Sequence, residues 1–302
     1  MRWEWNYDLV SHRKKYFIVA LVIVLIGFAS LMIQGLNLGV DFVSGSRIAA
    51  YLGESFDSQE IYDIYNQLGL EPSVVRAAGE ANDIAIARFD TTVDHAMLPE
   101  IRAAFNERFP NFYDIEESSV SPQVGEELAQ KAIYSVIIAS LFIILYVSFR
   151  FEYRFAVAGI LALLHDAFFV ITLFSILQLE VNLPFIAAVL TIIGYSINDT
   201  IVVFDRIREN MKFAKIKSES DLEKVANDSL MQTMTRSINT VLTVLFGAVA
   251  LVIFGGESLR EFSLALTFGL VAGAYSSIFL AAQVWLAWKV RDFRAMKAKQ
   301  AS

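Results

Sequence analysis

Six long apolar stretches dominate the sequence and restrict the chain to a membrane. A helix needs about 20 mostly apolar residues to cross roughly 30 Å of hydrocarbon. Six stretches come close to that length: residues 16–33, 132–149, 156–177, 185–204, 238–254 and 262–288. Composition agrees, because only 19% of the residues are charged, against about 25% in soluble domains. The sequence therefore predicts a polytopic α-helical membrane protein with six transmembrane helices.

The first stretch follows the basic residues 12–15, as a signal peptide would. Its apolar run of 18 residues is not followed by a small-residue cleavage site. We therefore expect an uncleaved anchor.

The distribution of Lys and Arg predicts the orientation, because basic residues near the ends of spans resist translocation. With a cytoplasmic N-terminus, the inside segments 1–15, 150–155, 205–237 and 289–302 hold 18 of the 25 basic residues. Segment 34–131, by contrast, holds 17 acidic and 6 basic residues. We expect both termini in the cytoplasm and the acidic segment outside.

The segment between the first two spans is long enough to fold as a domain, and we place this head at 35–131. An apolar run is followed by a helix pattern with Ile61, Ile64, Tyr65 and Leu68 on one face. Two strand patterns, a second helix pattern and a last strand pattern follow at 73–77, 84–89, 97–109 and 112–120. The order β–α–β–β–α–β predicts an α+β, ferredoxin-like extracytoplasmic head.

The remaining organisation follows from the same patterns. We expect residues 1–34 to form the cytoplasmic N-terminus and the first helix, and residues 132–302 to form a five-helix bundle with a cytoplasmic tail. Segment 205–237 is charged with periodic apolar positions, which indicates one or two amphipathic helices on the cytoplasmic face.

The composition excludes several kinds of site. The chain has no cysteine and three histidines, so disulfides, thiolate centres and a multi-histidine metal site lack their ligands. It also lacks a glycine loop that would hold phosphates, so we expect no cofactor and no use of ATP. We expect no nucleic-acid partner and no enzymatic activity.

Ionisable residues inside the spans are the main functional signal, because each costs about 2.5–3.5 kcal/mol to insert. His165 and Asp166 are adjacent near the middle of the third span, and Asn198 and Asp199 lie near the cytoplasmic end of the fourth. Adjacent helical residues point about 100° apart. The histidine–aspartate pair is thus open to two interpretations, a proton relay or a packing role.

Asp199 has two interpretations as well. It can be a hydrogen-bonded polar residue that joins helices, or a carboxyl group whose protonation is coupled to conformation. The fifth span opens with Arg236, Asn239 and Thr240. The long Arg236 side chain can reach the depth of Asp199, and we favour the second interpretation. Gly269 and Gly273 form G-x-x-x-G in the last span, which permits close helix packing.

A long segment over residues 194–210 closely resembles the fourth-span signature of the SecF family, with the sequence GYSINDTIVVFDRIREN. Its end places Asp205 and Arg206 at the cytoplasmic end of the span. Segments 36–45, 122–129 and 235–240 agree with the same family in order and spacing, as does the third-span His-Asp pair. The first of these includes Gly39, Asp41, Phe42 and Gly45. One departure is Ser44, where the family usually has the first glycine of a Gly-Gly pair, which restricts the backbone there.

The resemblance implies an accessory membrane subunit of bacterial Sec protein export, related to the resistance-nodulation-division transporters. Such a subunit lies in the cytoplasmic membrane and pairs with SecD. The pair uses the proton or sodium motive force to move unfolded polypeptides delivered by the SecYEG channel and the SecA motor. By matching position, Asp199 and Arg236 resemble the ion-coupling residues, accompanied by Asn198, Asn239 and Thr240. Asp41 resembles part of the motif that links the head to the spans.

Three other functions were weighed against protein export. A small-molecule exporter of the same superfamily would need twice as many spans. An intramembrane protease would need two facing carboxylates that share a proton, as Asp166 and Asp199 could provide. A purely structural assembly factor would need no titrating group in the spans.

Overall fold

The structure is a computed structural model that describes residues 7–79 and 81–301, with side chains to residue 299. It divides into two compact units. The helical unit comprises Met1–Asn37, Val136–Leu179 and Pro184–Ser302, and the head unit comprises Leu38–Ser135 and Glu180–Leu183. The sequence-based head boundary, 35–131, contains no residue from the connection between the third and fourth spans, whereas the head unit includes four.

Six helical segments of the described residues are long and apolar enough to cross a membrane. Five are single helices: α1 (Arg13–Ile33), α5 (Pro122–Arg150), α6 (Tyr153–Leu177), α7 (Leu183–Phe213) and α8 (Glu219–Phe254). The sixth combines α9 (Arg260–Tyr275), a π-helical turn (Ser276–Ala281) and α10 (Ala282–Ala301). These lengths confirm a polytopic helical protein, and most of the helices extend well beyond the predicted apolar stretches.

Three of the segments form the interior of the helical unit. In the most apolar part of α6, α7 and the sixth segment, 44%, 50% and 61% of residues are buried. The corresponding values for α1, α5 and α8 are 6%, 11% and 11%. The polar residues of the third and fourth spans therefore lie on the two helices with the protein interior around them.

The segment 205–237 forms no separate surface helix. Helix α7 continues to Phe213, and α8 begins at Glu219 and runs on into the fifth span. Ser218 caps α8, because its hydroxyl accepts from the Asp221 backbone N–H and the Asp221 side chain accepts from the Ser218 N–H. The periodic apolar positions of this segment therefore lie at the ends of two long helices.

The described residues between 45 and 120 form four antiparallel strands and two α-helices. In chain order these are β2 (Gly45–Tyr51), α3 (Ser58–Gln67), β3 (Val74–Ala78), β4 (Ile84–Phe89), α4 (Leu98–Arg108) and β5 (Asp114–Val120). The strands lie in the order β3-β4-β2-β5, and the register pairs Ala49 with Ile86 and with Glu116. The first strand, β2, thus lies inside the sheet, where it pairs with β4 and β5 from later in the chain.

Aromatic packing fills the head core. Tyr65 of α3 lies edge-on to Phe89 of β4 and to Phe105 of α4, with ring centroids 5.0 and 5.5 Å apart. All three side chains are almost completely buried. Edge-to-face contacts of this kind add to the stabilisation from burial alone.

Two short strands and a short helix complete the head unit. They are β1 (Asn37–Leu38), α2 (Val40–Val43) and β6 (Glu180–Val181), with β1 and β6 in a two-stranded sheet.

Candidate functional site

A buried carboxylate network lies at the centre of the helical unit. Asp166 of α6 is 1% exposed. Its Oδ2 atom accepts hydrogen bonds from the hydroxyls of Ser196 and Ser276, at 2.5 and 2.6 Å. Its Oδ1 atom is 3.2 Å from Nδ1 of His165. The carboxyl group is thus bound by side chains from α6, α7 and the π-helical turn.

The network continues along the π-helical turn. The hydroxyls of Ser277 and Thr200 are 2.9 Å apart, and Ser277 also donates to the carbonyl of Ser196 at 3.4 Å. Ser276, Ser277 and Thr200 are completely buried. A π-helical turn changes the angle between successive side chains, and here two consecutive serines both bond to partners across the helix interface.

Asp199 lies one helical turn beyond Ser196 on α7 and is 5% exposed. Its Oδ2 atom makes no hydrogen bond to any described residue. Ser237 and Arg236 lie close enough to act on the carboxyl group, although the Ser237 hydroxyl forms no hydrogen bond of standard geometry. An unpaired carboxyl oxygen at this burial is costly, which marks the position as a candidate for binding a proton, an ion or water.

A narrow crevice of about 10 Å³ adjoins Asp199 and has room for about one water molecule. Ser196 and Thr240 also line it. Ser196 thus lines the crevice beside Asp199 while its hydroxyl donates to Asp166.

Close packing of α9 against α7 forms one wall of this crevice. A Cβ atom on Gly269 would lie 2.2 Å from Cδ1 of Ile192, and one on Gly273 would lie 3.3 Å from Cβ of Ser196. The G-x-x-x-G motif therefore allows the close approach that its pattern predicts.

The predicted ion-coupling residues do not all lie together. Asp199 and Thr240 share the crevice, whereas Asn198, Arg236 and Asn239 are exposed on the outer faces of α7 and α8. Among the described residues, no salt bridge within 4.0 Å joins Arg236 to Asp199. Arg236 therefore acts on Asp199 only at longer range in this structure.

Asp205 and Arg206 make separate ion pairs at the end of the fourth span. Asp205 Oδ1 is 2.8 Å from Arg208 and 3.3 Å from Arg150 of α5, and Arg206 pairs with Glu209 at 3.1 Å. Asp205 thus joins α5 to α7.

At the base of the head, the Asp41 carboxylate accepts a hydrogen bond from the Leu183 backbone N–H, with Oδ2 and N 2.8 Å apart. The Gly39 N–H donates to the Val181 carbonyl at 2.8 Å. A side chain at Gly39 would collide with the Glu180 carboxylate, since its Cβ would lie 2.5 Å from Oε1. Gly39 and Asp41 thus join the segment after α1 to Val181 and to Leu183, the first residue of α7.

The backbone at Ser44 and Gly45 has positive φ angles of 65° and 111°. A Cβ atom on Gly45 would lie 2.1 Å from the Phe89 carbonyl oxygen, so only glycine fits there. Phe42 is half-buried in the short helix before this turn. The turn explains why two glycines are favoured at these positions.

No group of three or more histidine, aspartate or glutamate side chains among the described residues could hold a metal ion.

Comparison with known families shows to which family the chain belongs. The family described as "Protein export membrane protein SecD/SecF, C-terminal" matches residues 100–291, and the "SecD/SecF GG Motif" matches residues 29–48. The chain belongs to the SecD/SecF family. The first match contains Asp166, Asp199 and Arg236, and the second contains Gly39 and Asp41.

Relatives in the SecD/SecF family show which part of it this chain represents. The chain is 43% identical to the protein translocase subunit SecF of Alicyclobacillus acidocaldarius, over 96% of this chain and 95% of that protein. It is 48% identical to the protein translocase subunit SecDF of Bacillus subtilis, over 97% of this chain but only 40% of the relative. The chain thus corresponds to SecF and spans less than half of SecDF.

A solved SecD/SecF structure has the same fold. It is the crystal structure of SecDF, described as a translocon-associated membrane protein, from Thermus thermophilus. The TM-score is 0.85 at 30% identity, covering 96% of this chain and 40% of that one.

Sequence reasoning missed the hydroxyl groups of the SecD/SecF site. Ser196, Ser276, Ser277 and Thr200 carry no charge, and single hydroxyls are common in apolar spans because a hydroxyl can bond to the carbonyl four residues earlier. Only Ser196 had a usable signal, since it lies three residues, or about one helical turn, before Asp199.

Proposed function

We propose that this chain acts with a SecD partner as an accessory subunit of Sec protein export, and that it uses a proton or sodium gradient to drive late steps of translocation. Its SecF relatives are named protein translocase subunits. The Bacillus subtilis SecDF chain supports the partner, because more than half of it lies beyond the match. SecYEG, SecA and unfolded polypeptides are the further partners that this function requires.

The proposed location is the bacterial cytoplasmic membrane, with both termini inside and the head outside. The clustering of 18 of 25 basic residues in the predicted inside segments supports it. We also propose a ferredoxin-like head. The element order β–α–β–β–α–β and the strand order β3-β4-β2-β5 support that assignment.

The observation that carries the proposal is the buried Asp199 carboxyl group, whose Oδ2 atom has no hydrogen bond from a described residue. A group that must only join helices would be expected to have its hydrogen bonds satisfied, as Asp166 has. Asp199 instead adjoins a crevice that it shares with Thr240, near Arg236. Binding and release of a proton or cation there would change the charge at a helix interface.

The membrane potential supplies enough energy to shift a conformational equilibrium of the chain. One elementary charge moving through 100 mV releases about 2.3 kcal/mol. This shifts a two-state equilibrium by roughly fifty-fold, because 1.4 kcal/mol is a factor of ten. The chain therefore needs no nucleotide to do work.

Helix α7 provides a route from the ion site to the head. It carries Asp199, and its first residue, Leu183, donates to Asp41. When Asp199 loses its proton, attraction to Arg236 favours a different packing of α7 and α8; when the proton returns, that attraction is lost. A displacement of α7 would reach the head through Leu183.

Non-enzymatic function is part of the proposal. A pair of aspartates in a protease shares one proton. In the described part of the chain no hydrogen bond joins Asp166 to Asp199, and both contacts of Asp166 Oδ2 are serine hydroxyls.

The test uses inverted membrane vesicles that contain the chain, its SecD partner and the translocation channel. Asp199→Asn keeps the size and polarity of the side chain but cannot ionise. We expect normal insertion and partner co-purification, with loss of the stimulation of translocation by a proton or sodium gradient. Asp199→Glu should retain part of the gradient stimulation. Arg236→Lys keeps the positive charge but should retain little of the stimulation, since the planar guanidinium group is lost.

Asp228→Asn is the matched control, because it makes the same chemical change at an exposed position of α8 that forms no salt bridge with a described residue. Full gradient stimulation in Asp199→Asn vesicles would overturn the coupling role and leave Asp199 as a helix-joining residue. Failure to co-purify a SecD-like protein would contradict the partner assignment.

A further inference from the structure

A fully buried amide in the last span has no hydrogen-bond partner. Gln283 of α10 is 0% exposed, and neither Oε1 nor Nε2 of its amide makes a hydrogen bond to any described residue. A glutamine amide can accept two hydrogen bonds and donate two, and leaving them unmade among apolar side chains is costly. Most buried polar groups in proteins are bonded to protein or to ordered water. Gln283 is thus a position at which a small polar species is stabilised.

The last span runs beside the part of α7 that follows Asp199. The hydroxyls of Ser277, in the π-helical turn, and Thr200 of α7 are 2.9 Å apart. Thr200 follows Asp199 directly in the sequence, and Gln283 lies six residues after Ser277. Six helical residues span about 9 Å. The amide therefore lies beyond Asp199 in the direction of the predicted cytoplasmic end.

Ring contacts limit the depth of the amide from the cytoplasmic side. Trp285 stacks on Phe155 of α6, with ring centroids 4.9 Å apart. Phe155 also packs against Phe204 of α7, at 4.8 Å. Trp285 lies two residues after Gln283. The amide thus lies between the levels of Thr200 and Phe204, within the apolar span.

Asp199 has polar surroundings on both of its sides along α7. The crevice beside it reaches Ile192, which lies seven residues earlier and toward the predicted outer end of the helix. Gln283 lies on the opposite, cytoplasmic side. Ser237 of α8 acts on Asp199 and is buried, and its hydroxyl also has no hydrogen bond to a described residue. Because α8 packs against α10, unpartnered polar atoms occur on three neighbouring helices at and below the level of Asp199.

We propose that Gln283 is a further residue of the ion pathway, and that its amide binds the hydrated cation, hydronium or sodium, that passes between Asp199 and the cytoplasm. The amide oxygen accepts from the water of the cation or coordinates the cation itself, and the amide N–H groups donate to a second water molecule. An uncharged ligand suits a pathway, because the cation must bind and also leave. This inference rests on the proposed function of Asp199 and extends it to the cytoplasmic side.

The test uses inverted membrane vesicles that contain the chain, its SecD partner and the translocation channel. A pH-sensitive or a sodium-sensitive dye inside the vesicles records ion flow from the interior during translocation of an unfolded polypeptide. Methionine is unbranched like glutamine but has no strong donor or acceptor. We expect Gln283→Met to reduce the ion flow about tenfold, the factor that corresponds to the loss of one hydrogen bond to a charged group.

Stability should change in the opposite sense to ion flow. Gln283→Met replaces an unbonded amide with an apolar side chain, so the melting temperature of the purified complex should stay the same or rise. Gln283→Asn leaves a gap of one methylene group and should lower the melting temperature, yet it keeps the amide and should retain more ion flow than Gln283→Met. The control is Gln232→Met, the same change at an exposed position of α8, which should leave the flow unchanged.

Reduced flow in Gln283→Met, with its melting temperature maintained and Gln232→Met unaffected, supports the proposal. Normal flow in Gln283→Met together with no flow in Asp199→Asn overturns this inference alone. It is also overturned if the flow in Gln283→Met and Gln283→Asn follows their melting temperatures, because the amide is then structural. Full flow in Asp199→Asn overturns the proposed function and this inference with it.

Discussion

The Asp41 carboxylate bonds to the first backbone N–H of α7, with 2.8 Å between Oδ2 of Asp41 and N of Leu183. The first N–H groups of a helix have no acceptor within the helix, and a carboxylate there is also favoured by the helix dipole. Asp199 lies on the same helix, 16 residues after Leu183, which is about 24 Å along the axis. A residue of the family motif is therefore bonded to the helix that carries the candidate ion site.

Asp41→Ala should affect the thermal stability of the protein and the gradient stimulation of translocation to different extents. It removes the acceptor for Leu183, which costs about 1 kcal/mol of unfolding free energy. We expect a small loss of thermal stability and a much larger loss of gradient-stimulated translocation. Asp41→Asn keeps an acceptor oxygen and should retain more of both. Asp90→Ala, at an exposed acidic position of the head, is the control. If Asp41→Ala and Asp90→Ala had the same effect on translocation, Asp41 would have no role in coupling.

Ser44→Gly should stabilise the protein. Ser44 has φ 65° and ψ 172°, a combination that costs a residue with a side chain roughly 1–3 kcal/mol. Part of the gain is offset by greater freedom of glycine in the unfolded chain, so we expect about 1 kcal/mol net. Gly45→Ala should be strongly destabilising, because its Cβ would collide with the Phe89 carbonyl. Thermal unfolding of both variants checks the opposite signs.

Removing a hydroxyl from the head should have opposite effects at two tyrosines. The Tyr65 hydroxyl is buried without a hydrogen bond to a described residue, whereas Tyr62 accepts from the Val75 N–H at 3.1 Å. We expect Tyr65→Phe to stabilise an isolated head, residues 45–120, by about 1 kcal/mol and Tyr62→Phe to destabilise it by a similar amount. Denaturant unfolding measures both. An insoluble or unfolded fragment would show that the head depends on the rest of the chain.

The same fragment should lose stability at alkaline pH. Burial raises the pKa of Tyr65 above its usual 10.0, so this side chain stays neutral in the folded head. The unfolded state releases that proton as the pH rises above 10.0, and the stability due to the neutral form is then lost. Tyr65→Phe should remove this part of the alkaline dependence. If the unfolding free energy of Tyr65→Phe fell with pH above 10.0 as steeply as that of the unchanged fragment, Tyr65 would not be the group responsible.

The predicted orientation can be read by cysteine labelling, because the chain has no native cysteine. Glu71→Cys in the head should react with an impermeant thiol reagent added outside intact cells, and Lys217→Cys between α7 and α8 should not. Both positions are exposed, so the difference reports the side of the membrane. The reverse pattern would invert the topology.

The apolar stretches determined the six spanning segments, and the periodicity within residues 45–120 determined the order of helices and strands in the head. Both features depend on the local hydropathy and on the spacing of apolar residues, which can be read directly from the sequence. Asp199 was also found from the sequence, since an acid in an apolar span is visible without any knowledge of its neighbours.

Tertiary structure alone decided the partners of these residues. The serine hydroxyls around Asp166 come from α7 and the π-helical turn, and Leu183 meets Asp41 from a distant part of the chain. Those contacts depend on how helices cross and on the rotation of the π-helical turn, which no local pattern encodes. The exposure of Arg236 also depends on the tertiary structure. The sequence shows that a positive charge is present, but the packing of α8 determines that its side chain is exposed.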